Sequence, residues 1–212
     1  MRKGFFLIVF IWHMLPCVAQ DSTISNDADS ARTIIVSTDL NIYFLPGGER
    51  IFLPVIKLDK DWLHVEGRYN YEDLNTGSLW AGYNFEGGSK KFEYSVTPMI
   101  GGVAGQTKGF AAGLEFTLNF GRFELYHEGE YLFDSKETAN NFYYTWSDFT
   151  FSPRDWWWLG ISAQRTKLYK TKLDIQRGLM AGFSTGNWEF TGYLYNLGFD
   201  DPFGLLTVTF GF

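Results

Sequence analysis

The sequence predicts an all-β fold, a closed antiparallel transmembrane β-barrel of about ten strands or twelve. Three observations carry that expectation. Aromatic residues make up 19% of the 212-residue chain, yet its mean hydropathy is slightly negative, −0.14. Past the N-terminus, no segment offers the roughly 18 continuous apolar residues that a membrane helix needs. Instead, apolar and polar residues alternate with period two through most of the chain, giving strands with one apolar and one polar face. A formal charge of −6 and the lack of any long basic run argue against nucleic acid as a partner.

The first residues read as a signal peptide over 1–19. Met1-Arg2-Lys3 is a basic start, residues 4–15 are a short apolar core, and Cys17-Val18-Ala19 puts small residues ahead of Gln20 and Asp21. A retained anchor is disfavoured because the core is short and contains His13, and lipidation of Cys17 because Pro16 precedes it. Cleavage after Ala19 removes the only Cys, so the exported chain has no thiol for a disulfide, a metal or a nucleophile. It also removes Arg2 and Lys3 and leaves the chain more acidic.

Residues 20–60 read as an N-terminal periplasmic extension, partly disordered. The stretch 21–32 is rich in Ser, Asp and Asn and shows no period. In 33–59, the short apolar runs Ile34-Ile35-Val36, Ile42-Tyr43-Phe44 and Ile51-Phe52-Leu53 are broken by Pro46-Gly47-Gly48 and Pro54. Three roles stay open for this segment: two added strands, a plug at the barrel mouth, or a surface for a periplasmic partner.

The barrel is expected over 61–212. Leu63, Val65, Gly67 and Tyr69 alternate with His64, Glu66, Arg68 and Asn70. Leu79, Ala81, Tyr83 and Phe85 alternate with Trp80, Gly82, Asn84 and Glu86, and Phe92, Tyr94 and Val96 with Glu93, Ser95 and Thr97. The clearest run sets Phe110, Ala112, Leu114, Phe116, Leu118 and Phe120 against Glu115, Thr117 and Asn119. Phe123, Leu125, Tyr131 and Phe133 then alternate with Glu124, Tyr126, Glu128 and Glu130. Later runs over 142–151, 156–166, 173–183, 188–195 and 205–212 are noisier. Arg165 and Arg177 fall on the apolar parity, which implies a phase slip at a bulge or a strand end.

Connections support the same topology. Short polar turns at 86–89, 120–122, 152–155 and 184–187 alternate with longer links at 101–109, 134–141 and 165–172. Aromatic residues gather at run ends: Trp62, Phe85, Phe120, Phe123, Trp156-Trp157-Trp158 and Trp188 on one side, Tyr69, Tyr71, Phe110, Phe133 and Phe142 on the other. Two such belts suit the two lipid–water interfaces and disfavour a soluble sandwich.

At the C-terminus Leu206, Val208, Phe210 and Phe212 alternate, and Phe212 is the last residue. Together with the signal peptide, this terminal strand resembles that of small Gram-negative bacterial outer-membrane β-barrel proteins. The resemblance covers 61–212 as an architecture and carries no activity. It implies an outer-membrane location, an even strand number, outer-membrane lipids and the barrel-assembly machinery as partners, and Phe210 and Phe212 as the assembly signal. A monomer is expected.

With lipid outside, the polar faces fill the lumen. His64, Glu66, Arg68, Glu93, Glu115, Glu128, Glu130 and Gln164 are the candidate network or selectivity residues. About ten strands lie near the size at which side chains fill a barrel, and Arg68 is expected to neutralise part of the glutamate cluster. If Glu115 pairs with it, Glu115→Leu destabilises the fold. The expected role is structural, in membrane integrity, or narrow passive passage of small cationic solutes, since carboxylate rings favour cations. The alternative is a barrel-embedded enzyme acting on outer-membrane lipid or peptide. His64 shares a face with Glu66, which permits a base and its orienter but supplies no nucleophile; Ser95 or Ser162 serves only if folded close. No catalytic residue, metal or cofactor is assigned, because no Cys or His spacing suits a metal and Gly101-Gly102-Val103-Ala104-Gly105 opens no helix.

Overall fold

Alternating faces become the staves of a closed sheet in the computed structural model, which describes residues 34–166, 175–199 and 201–212. The strands are β1 Ile35–Phe44, β2 Arg50–Lys60, β3 Leu63–Tyr69, β4 Thr76–Tyr83, β5 Phe85–Ser89, β6 Phe92–Gly105 and β7 Gly109–Phe120. They continue as β8 Phe123–Asp134, β9 Phe142–Arg154, β10 Trp157–Arg165, β11 Gln176–Thr185, β12 Trp188–Tyr195 and β13 Phe203–Gly211. β4 and β5 are two halves of one stave. Both pair with β6 in a single register, Gly82 opposite Met99 and Phe85 opposite Val96. The break between them faces Pro98, which has no N–H to offer a ladder bond. The barrel therefore has twelve staves, each antiparallel to its neighbour.

β1 pairs with β13 from Ser37–Gly211 to Phe44–Gly204 and closes the sheet. Closure pairs the backbone that an edge would leave exposed, which a lipid environment requires. The barrel thus begins at Ile35 and not at residue 61. The 33–59 segment supplies two staves, which corrects its assignment to a periplasmic extension. Its alternation was hidden because β2 carries apolar residues on both faces. Ile51, Leu53 and Val55 are buried inside the barrel while Phe52 and Ile56 are exposed outside it. Pro54 sits just before the β2–β3 ladder begins at Val55, so its missing N–H costs no bond there. The signal peptide expected over 1–19 and the stretch 21–32 lie outside the described residues.

At one end the hairpins turn on two residues each: Asp61-Trp62, Lys90-Lys91, Gly121-Arg122, Asp155-Trp156 and Gly186-Asn187. Asp61, Gly121 and Gly186 take positive φ (54°, 62° and 59°), the backbone that such tight hairpins favour. Two expected turns shift accordingly, since 86–89 lies in β5 and 152–154 in β9. Residues 101–105 are likewise strand, not loop. A side chain at Gly101 would collide with the Trp80 indole opposite it, so the glycine is there to seat the ring. The other end carries longer links at 45–49, 70–75, 135–141 and 196–202. Short turns are periplasmic and longer links external in barrels of this kind.

The surface inverts that of a soluble protein. Leu79, Ile100, Phe120, Ile161 and Leu179 are each more than half exposed on the outer face. Aromatic girdles rim both ends. At the short-turn end Trp62 stacks on Tyr83 (ring centroids 5.3 Å) and Trp188 packs on Phe210 (4.5 Å). At the other end Phe110 stacks on Phe133 (4.6 Å). Trp158 does not join its neighbours in the belt, because it packs against the interior core. A one-residue register shift between Trp157 and Leu159 marks a bulge. Arg165 and Arg177 cause no slip: Gln164 still faces Gln176, and the two arginines stand at strand ends.

Candidate functional site

Strand β3 aims every second side chain inward, and so delivers His64, Glu66 and Arg68 to the lumen, all buried. Arg68 is the hub. Its Nε donates to Glu66 Oε2 (2.5 Å), and its Nη1 reaches across the barrel to Glu128 Oε1 (2.7 Å) and Glu130 Oε2 (3.1 Å) on β8. The planar guanidinium lies 4.5 Å from the Tyr71 ring and 4.9 Å from Trp80. A guanidinium suits this place because its fork serves several carboxylates while its faces stack on rings. Tyr71, from the 70–75 link folded into the mouth, donates to Glu128 Oε2 (2.6 Å) and accepts from the Tyr144 hydroxyl (3.1 Å).

Around this hub the charges are shared. Glu66 Oε1 meets Lys57 Nζ (3.2 Å) and His64 Nε2 (2.9 Å), and His64 Nδ1 meets Asp59 Oδ1 (2.7 Å). Asn84 Nδ2 also donates to Asp59, at 2.8 Å. Glu115 is peripheral, 3.5 Å from Arg68 and 3.6 Å from Lys57. A second carboxylate, Asp148 on β9, is held by neutral donors: Ser162 Oγ (2.5 Å) and Trp146 Nε1 (2.8 Å) on Oδ1, Tyr193 OH (3.0 Å) on Oδ2.

The lumen has two halves. The external half is filled by rings and aliphatic groups. Tyr43, Leu53, Trp80, Leu132, Tyr144 and Tyr195 are fully buried there, and Tyr43 donates across the barrel to Gln164 Oε1 at 3.1 Å. The short-turn half encloses a cavity of about 420 Å³. Its wall carries seven acidic side chains, Asp39, Glu66, Glu115, Glu124, Glu128, Asp148 and Glu189, against two cations, Lys57 and Arg68. Glu124, Ser152 and Glu189 lie next to the short turns, so the cavity faces that end.

Of the sequence candidates, His64, Glu66, Arg68, Glu115, Glu128 and Glu130 meet in one network. Gln164 belongs to the external layer instead, and Glu93 is exposed on β6 near the short-turn end, outside the network and away from the cavity wall. Lys57 and Asp59 were missed because their strand was read as an extension, and Asp148 because its strand alternates poorly. Tyr71, expected in the outer aromatic belt, is buried inside instead, because the chain leaves β3 at Tyr69 and turns its ring inward. His127 faces outward and pairs with Ser147 across β8–β9, Nδ1 to Oγ 2.7 Å, against the Phe116 ring. Two polar groups on a lipid-facing wall thereby satisfy each other. Ser162 bonds to Asp148 and Tyr195, whereas both ring nitrogens of His64 meet carboxylates. Ligand atoms of His64, Glu66 and Glu115 lie within 4.8 Å of one another, a spacing a metal could use. Lys57 and Arg68 already sit on the Glu66 oxygens, where such an ion would bind.

Twelve antiparallel staves, an apolar outer wall with two aromatic girdles and a charged interior define an outer-membrane β-barrel of the Gram-negative type. Among solved structures, the KdgM porin is similar, with a TM-score of 0.58 and 14% identity over 83% of this chain and 99% of that one. A structure of the KdgM porin in complex with disordered oligogalacturonate gives 0.55 and 11% over 83% and 99%. The Acinetobacter baumannii outer membrane protein Omp33 gives 0.48 and 11% over 85% and 98%. No protein-family model matches the sequence, and no curated protein matches it. At these identities the likeness is one of fold.

Proposed function

We propose that the barrel is a narrow porin-like pore favouring small cationic solutes, with the cavity as a periplasmic vestibule and the external aromatic layer as its constriction. The observation that supports this reading is the charge of the vestibule wall, seven carboxylates against two cations. Such a lining inside low-dielectric walls concentrates counter-ions and repels anions. The oligogalacturonate named with the KdgM porin is a polyanion, so that solute is not carried over to this chain. Passage requires the layer to part. Hydrogen bonds between neutral groups, Tyr43 to Gln164 and Tyr144 to Tyr71, cross the lumen in this layer. A second reading, a closed barrel serving membrane integrity, rests on the tight burial of that layer. Chemistry on lipid or peptide has less support, because His64 contacts two carboxylates and no nucleophile.

Single-channel recording in a planar bilayer under a KCl gradient tests the reading. Discrete steps with a cation-biased reversal potential are expected, and Tyr43→Ala should raise their conductance. Silence of both proteins, each folded and inserted, would favour the closed barrel; an anion bias would refute the proposed selectivity.

A further inference from the structure

Charge is spread unevenly around the vestibule. Lys57 and Arg68 both belong to the β2–β3 side, where they serve Glu66, Glu115, Glu128 and Glu130. The wall made by β8, β9 and β12 carries Glu124, Asp148 and Glu189, and none of the three meets a basic side chain among the described residues. Glu124 stands close enough to Glu189 and Asp148 for their charges to oppose its own. Asp148 is held by neutral donors, whereas Glu124 and Glu189 have no hydrogen-bond partner among the described residues. Like charges gathered in a low-dielectric chamber favour a cation between them.

An indole stands on the same side of the chamber, and the backbone is shaped to receive it. Trp158 lies in the β10 bulge, opposite Gly182 on β11, and lines the cavity. A side chain at Gly182 would collide with the ring, so the indole rests against bare backbone there. Thr191 pairs with Gly182 on the far side, and Glu189 comes next along the same face of β12. We propose that Trp158, Glu124 and Glu189 form a subsite for a solute that carries a guanidinium group. The inference rests on the reading of the lumen as a cation-favouring pore and names the solute class. A guanidinium is planar and weakly hydrated, so it stacks on an indole while its edge forks onto a carboxylate. A compact ammonium is held more strongly by its water and gains less from the ring, and a hydrated metal ion gains nothing from it.

Isothermal titration calorimetry of the detergent-solubilised full chain with propylguanidinium tests the proposal. Propylammonium and the uncharged propylurea, which keeps the planar shape, serve as comparators. Propylguanidinium should bind about fivefold or more tightly than either. Glu189→Gln and Trp158→Leu should each weaken it about fivefold, the worth of one partly screened ion pair and of one cation–π contact. Should Trp158→Leu not fold, Glu189→Gln and the three ligands on the unchanged chain still decide. Propylurea or propylammonium binding as tightly as propylguanidinium, or an unchanged affinity in either folded variant, would overturn the subsite. The single-channel recording fails or succeeds separately. Selective binding to a silent barrel would uphold the subsite and remove the pore, and a cation-biased current without such binding would overturn the subsite alone.

Discussion

Replacing Arg68 with Met removes the guanidinium that ties β3 to β8 across the lumen while keeping much of its apolar bulk. Four carboxylates lose a partner, but unequally, and Glu115 keeps its contact with Lys57. Glu66 keeps Lys57 and His64, and Glu128 keeps the Tyr71 hydroxyl. Glu130 keeps nothing: its Oε2 bonds to Arg68, and its Oε1 is already buried without a partner among the described residues. The variant therefore orphans one buried carboxylate and not four, which sets the expected loss at about 3–5 kcal/mol. The double variant Arg68→Met with Glu130→Gln should recover about 2 kcal/mol, the burden of that single orphan. Urea unfolding in lipid vesicles, followed by tryptophan fluorescence, measures both, with Trp80 beside the guanidinium as a local reporter. A loss below about 1 kcal/mol for Arg68→Met would refute the hub. So would a double variant no more stable than the single one.

Glu115→Leu should cost about 1 kcal/mol or less in the same titration, since its contacts at 3.5 and 3.6 Å are too long for strong hydrogen bonds. A loss matching that of Arg68→Met would make Glu115 an equal member of the network. Phe210→Ser with Phe212→Ser should lower the amount of folded barrel in the outer membrane severalfold. The same chain refolded into vesicles should lose only about 1–3 kcal/mol, because each ring forfeits little beyond its contacts with Trp188 and its neighbour. If the cellular level stays unchanged, the terminal aromatics are no assembly signal.

Much of this was legible in the residues. Strands β7 and β8 announce themselves through alternation, because one of their faces meets lipid and the other is mostly polar. Glu66, Arg68, Glu115, Glu128 and Glu130 could be placed inside from parity alone. β1 and β2 could not be recognised this way. Where the lumen is filled by Ile51, Leu53 and Val55, both faces of β2 are apolar and the period disappears. The same apolar packing that closes the external half thus concealed two staves, and with them Lys57 and Asp59.

By itself, the sequence determined the closed sheet and its bilayer setting. These follow from period two and girdle aromatics, both of which are local properties of the chain. Only the tertiary structure decided which carboxylate Arg68 would meet, that one half of the lumen is packed and the other hollow, and that Trp158 rests against Gly182 inside the vestibule. Those facts depend on the register and closure of distant strands. Parity says which way a side chain points, but not what stands across the barrel from it.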